Sequence, residues 1–186
     1  MLTFGLIVEG VYDVAALTEF IQKCTGDNIE VVPHPCGSKS TLMKKLPLFL
    51  ERFRHAKAGA PVDKALVIRD ADNQNANALI RQMRDSSHNR EYPFPVEPLV
   101  VVQTLEAWLL ADNEALSAVC GQIVPEVHEI IESIFDPKTR LKQILSNASI
   151  AYTDRIAREI AARANLETIA YRCPSFRNFR QAVRPV

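Results

Sequence analysis

Leu2-Thr3-Phe4-Gly5-Leu6-Ile7-Val8-Glu9-Gly10 is an apolar, partly β-branched run that stops at a glutamate and a glycine. Behind it Val14, Leu17, Thr18 and Ile21 recur at helical spacing, so the opening reads as strand, turn, helix. The pattern repeats down the chain. Residues 29–32 predict a second strand stopped by Pro33 and Pro35, and residues 38–57 a second helix with Leu42, Leu46, Phe49, Leu50 and Phe53 on one side. Pro47 inside that helix predicts a kink or a break. Residues 64–69 read as a third strand, 75–86 as a third helix and 96–102 as a fourth strand. Alternation of this kind specifies βαβ units: an α/β fold with a mostly parallel four-stranded sheet flanked by helices.

After Gln103 the strand signal stops, and helical patterns follow at about 104–120, 125–134, 138–147, 154–164 and 175–183, separated by Pro125, Pro137 and Pro174. A chain of 186 residues is long enough for one well-buried core. Residues 1–186 therefore read as a single domain, with an α/β core over 1–103 and a helical extension over 104–186 packed on it. Residues 59–61 and 89–98 read as surface loops.

Twenty-two Lys and Arg balance twenty-two Asp and Glu, which argues against a polybasic protein that grips nucleic acid with its whole surface. The balance hides an asymmetry: residues 1–136 hold 12 basic and 19 acidic side chains, residues 137–186 hold 10 basic and 3 acidic. Residues 1–8 lack the basic start and long apolar run of a signal peptide, and Glu9 and Asp13 follow at once, so the expected location is the cytoplasm, without membrane contact. Cys24, Cys36, Cys120 and Cys173 show no CxxC spacing and read as reduced thiols. Pro33-His34-Pro35-Cys36 reads as a turn rather than half a metal site.

Parallel sheets place ligands at the carboxyl ends of their strands, and the acidic residues gather at those ends. Glu9 closes the first strand with Asp13 four residues on, Asp70 and Asp72 close the third, and Glu106 lies just past the fourth. Asp70-Ala71-Asp72 has the spacing that puts two side chains on one side of an extended segment. Carboxylates brought together repel unless a cation neutralises them, and an all-oxygen set suits Mg²⁺ or Mn²⁺. The competing reading is local: Asp13 caps the first helix, Asp72 or Asn73 the third, and Glu106 is a solvated helix residue. Gly37-Ser38-Lys39-Ser40-Thr41 lacks the upstream glycine of a Walker motif and reads as a helix start capped by Ser38 or Ser40.

Val8-Glu9-Gly10 with Asp13, followed by Ile68-Arg69-Asp70-Ala71-Asp72 at the end of a hydrophobic strand, resembles the Toprim domain of topoisomerases, primases and the overcoming-lysogenisation-defect nucleases. Together with residues 105–112, Asp136-Pro137-Lys138 and Ser175-Phe176-Arg177-Asn178-Phe179, the chain looks like a small prokaryotic Toprim-like family of unknown function. The resemblance implies that Glu9, Asp70 and Asp72 are metal ligands, with Asp13 and Glu106 as further ligands or water-orienting groups. It implies Glu9, Asp70, Asp72 and Glu106 as the catalytic set, and Arg69, Lys138 and Arg177 as candidates for phosphate contact. The residues before Ser175 depart from the family's pattern, so that segment reads as a helix start packing on the core.

Metal-dependent hydrolysis of DNA or RNA phosphodiesters is the first functional reading, in a prokaryotic defence setting by analogy. The basic residues from Lys138 to Arg184 supply backbone contacts on that reading, or else form a solvated helical face. A second reading is a non-catalytic module that binds nucleic acid or a separate ATPase chain; a homo-oligomer is left open. A third is a phosphatase in which Asp70 attacks phosphorus directly, although Asn73-Gln74 replaces the usual Thr or Val after such a motif.

Overall fold

The computed structural model describes residues 1–26, 28–88 and 90–184. Four strands, β1 (Leu2–Val8), β2 (Ile29–Pro35), β3 (Lys64–Asp70) and β4 (Val96–Val101), form an all-parallel sheet in the order β2-β1-β3-β4. Between them run α1 (Val11–Thr25), α2 (Lys39–Arg52) and α3 (Ala76–His88). Beyond β4 the chain is helical: α4 (Glu106–Leu110), α5 (Asn113–Cys120), α6 (Pro137–Asn147), α7 (Asp154–Arg163), α8 (Leu166–Arg172) and α9 (Pro174–Ala182). The α/β fold with a helical second half is thus present.

Alternating strand residues feed two cores. Phe4, Leu6, Val8, Leu66, Ile68 and Val101 face α1 and the helical second half, while Ile7, Ala65, Val67 and Val100 face α2 and α3. In the larger core Trp108 meets Phe20, Phe176 and Phe179 at centroid separations of 6.1, 5.0 and 5.2 Å, and its indole N–H donates to Ser175 Oγ at 2.8 Å. Ser175 and Phe176 are therefore core residues, as the helix-start reading required.

Several boundaries differ from the sequence expectation, each for a physical reason. Pro33 does not stop β2, which runs on to end at Pro35, and His34 lies in that strand rather than in a turn. The Cys36 N–H donates to the Val8 carbonyl at 2.8 Å, so alternate residues back along β2 turn their amides to β1. The proline nitrogens then face the open edge, where no donor is needed. Pro47 does not break α2, which runs on to Arg52 and then tightens into a 3₁₀ turn over Phe53–His55. The helix expected over 104–120 is two, divided where Asp112 caps α5. Over 125–134 only the 3₁₀ turn Ile131–Ser133 forms: Val124, Val127 and Ile131 imitate helical spacing but enter the core one at a time from irregular chain. Helix α8 was not foreseen; it is short and capped by Asn165 Oδ1, which accepts from Glu167 N and Thr168 N. The loop expected from residue 89 begins at a position outside the described residues, and its last residues, from Val96, belong to β4.

The four cysteines are free thiols. Among the described residues no helix is long and apolar enough to cross a membrane.

Candidate functional site

From β1 the chain moves outward to β2, and from β3 it moves the opposite way to β4. The carboxyl ends of β1 and β3 therefore flank the point where connections diverge, the place in such sheets where a crevice opens. Glu9 directly follows β1 and Asp70 ends β3, and the parallel register pairing Ile7 with Val67 brings both to this edge. A cleft of about 330 Å³ lies there, lined by Glu9, Asp13, Asp70, Asp72 and Glu106 together with Lys39, Lys138, Tyr12 and Thr104.

Asp13 occupies the third position of α1, and its Oδ2 accepts the Gly10 N–H at 3.0 Å. The capping role and the cleft position coexist in one side chain. Burial pushes its carboxyl above the ordinary range, the Gly10 N–H opposes this, and the Glu106 charge adds to it. Glu9 is largely buried, and its Oε1 has no hydrogen-bond partner. Burial raises its pKa; the Lys39 and Arg69 charges lower it in part, and Asp13 raises it again. Asp70 is half-buried at the cleft floor. Desolvation, then the charges of Asp13, Glu106 and Glu9, hold its carboxyl well above the usual carboxylate range, with Lys39 acting the other way.

Glu106 opens α4, and it is buried rather than solvated. Its Oε1 accepts the Tyr152 hydroxyl at 3.1 Å and lies 3.3 Å from Lys138 Nζ. Burial and the Glu106 charge both raise the Tyr152 pKa, keeping that phenol a proton donor.

Asp70 and Asp72 do not share one side of an extended segment. The strand ends at Asp70; Asp72 and Asn73 take left-handed φ values of 44° and 65°, and Asp72 turns to form an ion pair with Lys39. Gln103, past β4, has φ 65° and accepts the Asp72 N–H at 3.1 Å. Three non-glycine residues in a costly backbone region thus sit at the carboxyl ends of neighbouring strands, where strain commonly accompanies function. Neither Asp72 nor Asn73 caps α3; Asn75 Oδ1 does so, accepting from Ala78 N at 3.0 Å.

Arg69 is buried on the α2 face of the sheet, its Nε 3.8 Å from Glu9 Oε1. It is too far for a hydrogen bond and neutralises Glu9 from beneath instead of standing on the cleft wall. Arg177 is not brought to the cleft: it lines a separate groove with Glu167, Arg180, Gln181 and Arg184. Lys138 reaches the cleft as expected. Ser38 Oγ caps α2, accepting from Thr41 N at 3.1 Å, and this delivers Lys39 to the wall. The sequence signal for Lys39 was the Gly37-Ser38-Lys39 turn; Tyr12, Thr104 and Tyr152 carried none.

The amino ends of α1, α2 and α6 bring Asp13, Lys39 and Lys138 to the cleft, so three helix dipoles present their positive ends to it. The donor set is all oxygen, which fits a hard divalent cation, and Glu9 Oε1, buried and without a hydrogen-bond partner, is turned toward Arg69. Among the described residues no three His, Cys, Asp or Glu side chains already stand in ligating arrangement. An open ring of carboxylates around a cleft suits an ion that keeps several waters, as Mg²⁺ does, better than one held in an all-protein cage.

Fold and cleft together define an α/β protein with a carboxylate-lined crevice at the switch point of a parallel sheet. The chain belongs to the family described as Domain of unknown function (DUF4276), whose model matches residues 8–184. No curated protein and no solved structure matches it.

Proposed function

We propose that the cleft is the site of a divalent-metal-dependent phosphodiesterase acting on nucleic acid. The observation that carries this reading is the gathering of Glu9, Asp13, Asp70 and Glu106 in one cleft whose walls hold Lys39 and Lys138. Uncompensated, four carboxylates would only repel; flanked by lysines and helix amino ends, they suit a site for cation and phosphate together. Glu9, Asp13 and Asp70 would hold Mg²⁺ or Mn²⁺, with Asp72 within the same cleft but engaged by Lys39. Such an ion, when bound, polarises a phosphoryl oxygen and lowers the pKa of an attacking water.

The chain's own groups bind and orient. Lys39 and Lys138, each now engaged by a carboxylate, are placed to transfer to phosphate oxygens as substrate enters. Tyr152 and Lys138 both hold Glu106 at Oε1, fixing it to orient a water or take its proton. Arg69 steadies Glu9 from below. The likeness of the Glu9 and Asp70-Ala71-Asp72 motifs to Toprim nucleases supports the same chemistry.

A second reading is a non-catalytic module binding nucleic acid or a separate ATPase chain, in which Lys39 and Lys138 on the cleft walls serve for binding alone. Calorimetric titration of Mg²⁺ and Mn²⁺, with cleavage of labelled single- and double-stranded DNA and RNA in the same samples, separates the two. The phosphodiesterase reading expects binding and cleavage in the wild type, both lost in Asp70→Asn/Asp72→Asn. Nucleic-acid binding without metal binding or cleavage supports the module, and a phosphorylated Asp70 would point to an aspartyl phosphatase.

A further inference from the structure

The carboxylate cleft does not end at Tyr12 and Lys138. Both residues also line a second groove of about 430 Å³, completed by Lys142, Tyr152, Thr153 and Asp154. Tyr152 joins the two spaces, because it lines the groove while its hydroxyl reaches Glu106 in the cleft. Lys138 and Lys142 stand four residues apart on α6 and so share one helix face, forming a short cationic rail that leads away from the carboxylates. Tyr12, at the second position of α1, is 57% exposed at the junction and makes no aromatic contact among the described residues. Asp154 stands at the first position of α7, its Oδ1 accepting the Arg155 N–H. A carboxylate there repels phosphate, which assigns the backbone of a bound chain to the α6 side.

We propose that this groove is the strand-binding subsite of the cleft and that its ligand is a single-stranded polynucleotide. One base stacks on the Tyr12 ring while successive phosphates lie along Lys138 and Lys142. The proposal rests on the phosphodiesterase reading and adds to it the form of the substrate. Each of the two spaces has the volume of a small-molecule site, enough for one nucleotide unit at a time. A duplex keeps its bases stacked on one another and offers none to Tyr12 without unpairing, whereas a single strand has a free π-face at every base.

The test is fluorescence anisotropy with labelled oligonucleotides of about fifteen residues, as single-stranded DNA, single-stranded RNA and the corresponding duplexes. It is run in EDTA on full-length Asp70→Asn protein so that cleavage cannot interfere. Expected are tighter binding of single strands than of duplex, about tenfold weaker single-strand binding in Tyr12→Ala, and a salt-dependence slope reduced by about 0.7 in Lys142→Ala. Rescue in Tyr12→Trp separates stacking from a fold defect, which circular dichroism of each variant also checks. Equal affinity for duplex, undiminished binding in both variants, or no binding to any strand overturns the proposal. The DNA and RNA arms identify which strand the groove takes. Mn²⁺ calorimetry on the wild type decides the metal reading separately: strand binding that depends on Tyr12 without Mn²⁺ binding would retain this groove and remove the phosphodiesterase.

Discussion

Asp70 concentrates the tension in this molecule. Burial and the charges of Asp13, Glu106 and Glu9 favour its protonated form, and the Lys39 charge opposes them only in part. An amide of the same shape removes that burden, so Asp70→Asn is expected to raise thermal stability at pH 7 while abolishing the metal-dependent cleavage proposed for this site. For a chain of this size Tm rises by about 2–4 °C for each kcal/mol of repulsion relieved, read directly in a thermal melt. Gly5 poses the opposite case. A Cβ built there would stand 2.4 Å from Phe53 Cδ2, and that ring is buried in the core beneath α2. Gly5→Ala should therefore cost about 1–3 kcal/mol by overpacking, with Phe53→Leu recovering part of the loss in a double-mutant cycle by chemical denaturation.

At the scale of elements, the helical half is joined by caps that reach between helices. Asp112 is buried; its Oδ1 accepts from Glu114 N and Ala115 N at the start of α5, and its Oδ2 accepts from Asn165 N at 2.7 Å, at the start of α8. One carboxylate thus satisfies the amino ends of two helices. Asp112→Ala removes a cap worth about 1 kcal/mol and strands the Asn165 amide, for a further 1–3 kcal/mol or so. Faster amide hydrogen exchange in both α5 and α8 would show the coupling; a change confined to α5 would refute it. Lys23 does similar work at the carboxyl end of α7, donating to the carbonyls of Ala161, Ala162 and Ala164, where a cation complements the dipole.

Across the whole molecule, stability and site are linked through protons. Glu9, Asp13 and Asp70 all have their carboxyls raised on folding. Between the ordinary carboxylate range and these raised values the folded chain holds more protons than the unfolded one, so stability is greatest below that window and falls as pH rises through it. A cation of the kind proposed, bound among the carboxylates, would oppose the trend. Unfolding by urea from pH 5 to 8 should show stability declining in EDTA and a flatter profile in Mg²⁺. Stabilisation of about 2.7 kcal/mol is expected at a hundred times Kd, and Asp70→Asn should lose it. A pH profile unaffected by Mg²⁺ would count against a cation at this site.

Much of this was legible in the chain itself. The apolar runs closing at Glu9 and at Asp70 marked two strand ends, and because parallel strands share an edge, they marked the place of the cleft as well. Periodicity and strand ends are properties of near neighbours, so they survive in a linear reading. Local pattern also misled: Val124, Val127 and Ile131 copy a helix that does not form, and Asp70-Ala71-Asp72 copies a paired face that the left-handed turn at Asp72 breaks. Only the tertiary structure put Arg69 beneath Glu9, took Arg177 away from the cleft, and carried Tyr152 to Glu106 across 46 positions of chain. Those meetings depend on how the helical half packs on one face of the sheet, and that packing is decided by burial of the whole core rather than by any stretch of sequence.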